Sequence, residues 1–337
     1  MGETKIGAMK LIVKRRKVPL TICKLRALTR RLSPNHPKIP LIIKDLKKRE
    51  AGYKGECSID FPLSFLQSKS YFIFHDLRLQ DQSRFFQMDT LLVSKKFALI
   101  IEVKNIAGSI YFDPHFNQLI RTKDGKETAF PDPIVQVNRQ ESQLRNWFLK
   151  NGFPSLPILS FPILSLIVIS NPQTIIRTSP ENRKLHYKVI HPDGLPSRIN
   201  LMEHSITDSI LGEKDLKKVV RILNKYHIEA ASSILERYNL TEEDLIKGVI
   251  CENCKGFPLI RRHGTWFCNQ CQLSNKDAHI QAFRDYFHLL GSTITNRQLR
   301  DFLNISSASS TTRILQSLKL TSKGANKGRV FSLNFDE

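Results

Sequence analysis

The sequence predicts an α/β chain: a mixed sheet flanked by helices, then a small four-cysteine module and a helical C-terminal module. Three observations carry this. Two apolar runs, Leu91–Val93 and Phe97–Val103, are joined by Ser94-Lys95-Lys96 and read as a β-hairpin. A helical pattern beginning at Asp132 is followed by another apolar run, Pro162–Ser170; this strand–helix–strand order favours a mixed sheet with a right-handed crossover. Two CxxC pairs then stand thirteen residues apart.

Length and charge bound the rest. A chain of 337 residues should form two or three domains. Lys and Arg number 52 against 31 Asp and Glu, a net charge of +21, which argues for a polyanionic partner, nucleic acid before an anionic membrane surface. No apolar run has the length of a membrane-spanning helix and the N-terminus lacks a signal-peptide core. The expected compartment is therefore cytoplasmic, with no membrane partner. Nothing in the sequence identifies a protein partner. Six cysteines, four of them in CxxC pairs with Cys23 and Cys57 apart, do not form a disulfide framework.

Residues 1–50 read as a basic helical arm. The stretch 1–55 holds sixteen Lys/Arg against three acids. Ile22, Leu25, Leu28 and Leu32 recur at helical spacing, and Ser33–Pro40 breaks the helix. A second helix runs from near Ile42 into the Gly55-Glu56 region. The arm is either a phosphate-contacting element or a solvated basic face. From Gly55 to about Gln67, Ile59, Leu63 and Leu66 predict another helix with Glu56 at its start, where an acid favours the helix dipole by roughly 0.3–1 kcal/mol.

Tyr71–His75 reads as the first core strand. Ser109–Phe112 and Gln118–Arg121 read as an antiparallel pair, and Lys123–Lys126 as a polar turn. Asp132-Pro133 is a helix start, an N-cap acid before proline at the first position. Ile134, Val137, Leu144 and Trp147 or Phe148 form its apolar face, while Gln136, Gln140 and Gln143 share another, readable as a solvated stripe. Residues 173–215 have no clear pattern and complete the domain's edge, giving an α/β domain over 51–215. Leu216–Tyr238 is periodic and reads, within 216–248, as a helical connector, with a short helix opening at Thr241.

The chemistry gathers between Gln87 and Gly108. Side chains alternate along a strand, so Glu102 and Lys104 share a face, and Asp89 on the neighbouring strand can lie beside them. Two carboxylates suit Mg²⁺ or Mn²⁺, and a lysine beside the metal can hold a water or stabilise phosphoryl charge. Such a group can cut a phosphodiester; read blandly, it is a surface hairpin with an ordinary ion pair.

The pattern Asp89-x12-Glu102-x-Lys104 resembles the PD-(D/E)xK nuclease superfamily. The fuller string resembles its nuclease-related-domain (NERD) branch: GYKGE at Gly52–Glu56, FHDLRL at Phe74–Leu79, QMDTLLVS at Gln87–Ser94, IEVKNIAG at Ile101–Gly108 and PIVQ at Pro133–Gln136. Met88 stands where the superfamily name has proline, a position that varies within it. The resemblance implies a restriction-endonuclease-like mixed sheet. It also implies catalytic roles for Glu56, Asp89, Glu102, Lys104 and Gln136: Asp89 and Glu102 on the metal, the Val103 carbonyl as a further ligand, Glu56 assisting the metal, Lys104 positioning water, and Gln136 orienting water or phosphate.

Cys251, Cys254, Cys268 and Cys271 can bring four thiolates onto one Zn²⁺, with Leu259–Arg261 and Thr265–Phe267 as the strands of a zinc ribbon over 249–273. With all four positions cysteine, that metal is structural. Arg261, Arg262, His263 and Trp266 are candidate nucleic-acid contacts or the ordinary faces of a small ribbon. Over 278–337, helices at Ala278–Leu290, Asn296–Leu303 and Ser309–Leu318, then a strand at Val330–Leu333, resemble a winged helix. The third helix, with Ser310, Thr311 and Arg313, would enter the major groove, and Lys323, Lys327 and Arg329 would form a basic wing; a packing module is the alternative. The expected function is Mg²⁺-dependent hydrolysis of DNA in processing, repair or defence. The competing reading is a non-catalytic DNA-binding protein with the nuclease core as scaffold.

Overall fold

The computed structural model describes residues 12–66, 71–82, 84–151, 160–230 and 233–335. The chain forms two compact units, one of residues up to Lys17 with Ala51–Ala230, the other of Val18–Glu50 with Ala231–Glu337. Both are discontinuous in sequence. The described chain begins with β1 (Ile12–Lys14), followed by α1 (Leu20–Arg31), α2 (Ile39–Cys57) and α3 (Asp60–Leu63). Then come β2 (Phe72–Asp81), β3 (Arg84–Val93) and β4 (Ala98–Lys104). The element order continues with β5 (Ser109–Asp113), β6 (Gln118–Lys123), β7 (Lys126–Pro131), α4 (Pro133–Lys150), β8 (Ile163–Ile169), β9 (Ile175–Thr178), α5 (Leu185–Lys188), β10 (Val189–Ile190), α6 (Leu195–Ser205) and α7 (Glu213–Lys225).

In the first unit a six-stranded mixed sheet has the order β1-β2-β3-β4-β8-β10. β2, β3 and β4 are antiparallel neighbours, while β1 on β2, β8 on β4 and β10 on β8 are parallel. β4 and β8 are almost wholly apolar and buried, as strands covered on both faces must be. One face packs Leu91, Ile100 and Leu79 against Leu144, Trp147 and Phe148 of α4 and Leu216, Val219 and Leu223 of α7. The other packs Ile73, Leu92, Leu99 and Ile101 against Leu63, Leu195 and Ile199. A second sheet, β7-β6-β5-β9, lies between β4 and α4 in the chain apart from β9. β7 occupies residues expected to follow a simple polar turn; its mostly exposed pattern hides it from periodicity.

α4 starts where Asp132 caps it, its carboxylate accepting from Ile134 N at 2.7 Å, with Pro133 at the first position. α7 ends at Lys225, well before the predicted Tyr238. Its apolar stripe belongs to the sheet's own core, so this part of the expected connector is a wall of the first unit.

The second unit buries Leu25, Leu28 and Leu32 of α1 with Ile42 against Ile234, Leu235, Tyr238, Leu245 and Leu289. Arg31 is 1% exposed; its guanidinium donates to Asp285 Oδ2 at 2.7 Å and to the Gly248 carbonyl at 2.6 Å. Arg30 also holds Asp285. Residues 18–50 are therefore packed elements, and the two arginines are occupied by protein partners. The remaining elements are α8 (Ile234–Arg237), β11 (Ile260–Arg262), β12 (Thr265–Phe267), β13 (Ser274–Asn275), α9 (His279–Leu289), β14 (Thr293–Thr295), α10 (Asn296–Leu303), α11 (Ala308–Ser317), β15 (Ser322–Lys323) and β16 (Val330–Ser332). The last three strands form an antiparallel sheet in the order β14-β16-β15. No helix among the described residues is long and apolar enough to cross a membrane.

Candidate active site and metal centre

Glu102 is the centre of the first site. It sits near the end of β4, 4% exposed, and three side chains donate to it. Lys104 Nζ reaches Oε1 at 2.6 Å, Gln136 Nε2 the same oxygen at 2.7 Å, and Gln140 Nε2 reaches Oε2 at 3.1 Å. Lys104 Nζ also donates to Gln136 Oε1 at 3.0 Å. The lysine is two residues on in the strand and therefore on the same face. Gln136 and Gln140 are four residues apart in α4 and so project together. Asp89, in the middle of β3, accepts from the Val103 N–H at 2.9 Å.

Gln140 overturns the reading of its glutamine stripe as solvated. It is 4% exposed, and its amide bridges Glu102 and the Gln87 carbonyl. Its Oε1 is buried with no hydrogen-bond partner, an open acceptor next to the carboxylates.

Glu56 lies in the last turn of α2 and not at the start of a helix. The predicted helix over 55–67 is interrupted by a turn at 58–59, and α3 covers only Asp60–Leu63; Gln67 lies outside the described residues. Pro62, in the first turn of α3, has no N–H to give to the Ser58 carbonyl, so the helix cannot run unbroken through 58–59. The N-terminal dipole argument for Glu56 therefore fails. Gly55 brings this helix end close to the sheet: a Cβ there would lie 2.7 Å from Asn105 Cβ and 2.8 Å from Ser170 Oγ.

Arg16, assigned from sequence to the basic arm, is buried beneath Glu56. Its side chain is 5% exposed and bonds Glu56 Oε2 at 3.1 Å, Asp60 Oδ1 at 3.2 Å, Thr90 Oγ1 at 3.1 Å and His75 Nδ1 at 2.9 Å. An Nδ1 that accepts from arginine places the His75 proton on Nε2. Burial, then Arg16 and Lys14, push His75 down to about 3, so it stays neutral. Asp76 was also missed as a site residue. It adopts φ +53° within β2, opposite Asp89, where the pairing of β2 with β3 skips it, and it accepts from Gln87 Nε2 at 2.5 Å. Its signal lay in the HDL of the FHDLRL string.

Two of the acids, Glu56 and Asp89, are raised, first by burial and then by neighbouring carboxylates. Burial, opposed by Arg16 and reinforced by Asp76 and Glu102, lifts Glu56 to about 7. Burial, then Glu102 and Glu56, hold Asp89 well above the usual carboxylate range. Crowded oxygens that repel each other, with an open buried amide oxygen beside them, suit a hard divalent cation. Asp89 and Glu102 are the carboxylates on adjoining strands here, with Glu56 near enough to raise Asp89, but the three do not form a tight ligand group of the kind the cysteines form.

The second site is the four cysteines. Their sulfurs all lie within 4.8 Å of one another, the one such ligand group among the described residues. Cys251 Sγ is 3.6 Å from Cys271 Sγ, and Cys254 Sγ is 3.5 Å from Cys268 Sγ. Four sulfurs at ~2.3 Å from one ion stand about 3.8 Å apart, so the cluster fits a single metal. The two knuckles fold alike. Lys255 N donates to Cys251 O and Gln272 N to Cys268 O, and Lys255 and Gln272 each take positive φ. β11 and β12 form the expected hairpin, with β13 added.

Trp266, a candidate nucleic-acid contact, is 1% exposed and donates its indole N–H to His279 Nδ1. It belongs to the core of the module, with the Arg261 guanidinium 5.1 Å from its ring centroid. Thr311 is likewise buried, its hydroxyl donating to Ser307 O. Arg313, Lys323 and Arg329 are exposed, and the side chain of Lys327 lies outside the described residues.

Residues 51–170 match the family model of the nuclease-related domain (NERD). No curated protein and no solved structure matches the chain. The match spans the end of α2, the hairpin strands, α4 and β8, and so contains Glu56, Asp89, Glu102, Lys104, Gln136 and Gln140.

Proposed function

We propose, from the nuclease-related domain at residues 51–170, that this protein is a divalent-metal-dependent nuclease hydrolysing DNA phosphodiester bonds. The observation that carries this is the convergence of Lys104, Gln136 and Gln140 on Glu102 beside Asp89. Asp89 and Glu102 would hold Mg²⁺ or Mn²⁺, with the Val103 carbonyl and Glu56 assisting. The cation supplies charge neutralisation at the phosphoryl group and a more acidic water. The chain's own residues do the rest. Lys104 presents an ammonium on the same face as Glu102 and can donate to a water or a phosphate oxygen. Gln136, hydrogen-bonded to both, sets the direction of that ammonium and can orient the attacking water. Arg16 fixes Glu56 from below, and Gln140 fixes the Glu102 carboxylate plane.

The four cysteines would hold a structural Zn²⁺, since they leave no position for water. The α10–α11 pair with the β14-β16-β15 sheet supports a winged-helix-like DNA contact through Arg313, Lys323 and Arg329, with Lys327 on the same loop. The net charge of +21 predicts salt-sensitive binding.

Strand scission of supercoiled, linear and single-stranded DNA with Mg²⁺ or Mn²⁺ tests the reading. Lys104→Ala is expected to lower cutting by about a hundredfold or more while binding persists. Equal cutting by both proteins would place the chemistry elsewhere. No cutting by either, with salt-sensitive binding retained, would establish the non-catalytic DNA-binding reading instead.

A second expectation concerns the cation alone. Glu56 is raised to about 7, so its contribution to stability is present while it is protonated and is lost as pH rises through about 7; Asp89 is raised as well, so its contribution has the same sign. A divalent cation at the ionised carboxylates offsets that loss. Thermal unfolding should show Mn²⁺ raising Tm more at about pH 8 than at about pH 5.5. An equal shift at both pH values would count against binding at these acids.

A further inference from the structure

Two phenylalanines stand exposed next to the candidate active site. Phe61 is 73% exposed and Phe65 66%, and their rings meet edge to face with centroids 4.9 Å apart. Their neighbours Asp60, Leu63 and Ser64 line a cleft of about 520 Å³ together with Ile12, Arg15, Arg16 and His75. Residues four apart on a helical turn share a face. Asp60 and Ser64 both line the cleft, and Phe61 and Phe65, which follow them in the chain, share a neighbouring face of the same turn, open to solvent.

The cleft is lined by two arginines, Arg15 and Arg16, with Asp60 as the acid among its lining residues. Residues 14–17 read Lys-Arg-Arg-Lys, and Arg15 is exposed. The acids Glu56 and Asp60 are both engaged by Arg16, which joins the cleft to the carboxylate cluster. Two exposed rings next to a cleft lined by the exposed Arg15 offer what an unpaired base and its phosphate require. A protein partner fits less well, because a stable interface needs about 800 Å² from each side and the rings are flanked by charge.

We propose that Phe61 and Phe65 form a stacking platform for the bases of a single DNA strand, with Arg15 on its backbone, so that the site takes single-stranded or locally unpaired DNA. This rests on the nuclease reading for its relevance to cleavage, yet it is a statement about binding and is tested without metal.

The experiment is fluorescence anisotropy of the full chain, free of Mg²⁺ and Mn²⁺, with a labelled oligo-dT of about 20 nucleotides, spanning more than one site, and a duplex of equal length. Phe61→Ala/Phe65→Ala and Phe61→Leu/Phe65→Leu are each expected to weaken oligo-dT binding by about tenfold or more, the scale of base–aromatic stacking. Phe61→Tyr/Phe65→Tyr should stay within about twofold of wild type, since the ring is kept. Duplex binding and the salt dependence should hardly change, because phosphate contacts remain. A Phe61→Trp variant gives a second signal: the two native tryptophans, Trp147 and Trp266, are buried, so oligo-dT should quench the added indole.

No oligo-dT binding by wild type, equal loss on both nucleic acids, no loss on either, or an unquenched indole in the Phe61→Trp variant would each overturn the platform. Loss of scission on Lys104→Ala with unchanged behaviour of the phenylalanine variants would keep the nuclease and discard the platform. The pattern expected above, without scission, would discard the nuclease and keep the platform.

Discussion

Replacing Glu102 by glutamine is expected to reduce strand scission by about a thousandfold or more, while the metal-free protein becomes more heat-stable. The two effects have one cause. Glu102 raises both Asp89 and Glu56 by charge repulsion, so its neutralisation removes an unfavourable interaction among buried acids. A glutamine keeps the shape: its oxygen can still accept from Lys104 and Gln136, and its NH2 can donate to the unpartnered Gln140 Oε1 in place of accepting from Gln140 Nε2. What it cannot do is hold a divalent cation as a carboxylate does, and losing several kcal/mol of charge stabilisation corresponds to about three powers of ten in rate. Scission kinetics and thermal unfolding on the same preparation check this. A variant that cuts normally would remove Glu102 from the chemistry. One that loses both activity and stability would make it a structural residue only.

Stripping metal from the four cysteines is expected to unfold residues 249–275 and to destabilise the core around them. Cys251 and Cys268 are buried in the same apolar cluster as Val249, Leu259, Trp266, Phe283 and Phe302. β11, β12 and β13 are two or three residues long, too short to stand without a cross-link. Thiolate ligation of a structural zinc has an apparent folding contribution of roughly 10–16 kcal/mol in small metal-dependent modules. The preparation should release one zinc per chain to a strong chelator, and Cys254→Ser should release it more readily. Amide exchange over 249–275 should then rise to unprotected rates, and excess Mg²⁺ should not restore protection, since soft sulfur ligands select against it. Unchanged exchange after complete zinc removal would contradict this.

Some of this protein is dictated locally and was legible in the sequence. The hairpin of β3 and β4, the cap of α4 at Asp132 and both cysteine knuckles follow from alternation, capping and spacing, all interactions between residues near one another in the chain. So does the shared face of Glu102 and Lys104, because a strand's period fixes it. Other features depend on partners far away in sequence. Arg16 is buried only because β1 pairs with β2 some sixty residues later, and α1 is a core helix only because its stripe meets residues beyond 230. Gln140 resembles any other exposed helix amide until the crossover from β4 through α4 to β8 lays it on Glu102. Trp266 and Thr311 looked available for nucleic acid until packing enclosed them. The sequence by itself determined which residues carry charge, sulfur and strand or helix periodicity. The tertiary structure decided which of those polar groups are buried together, because burial and mutual repulsion arise only when distant segments exclude water from the same space.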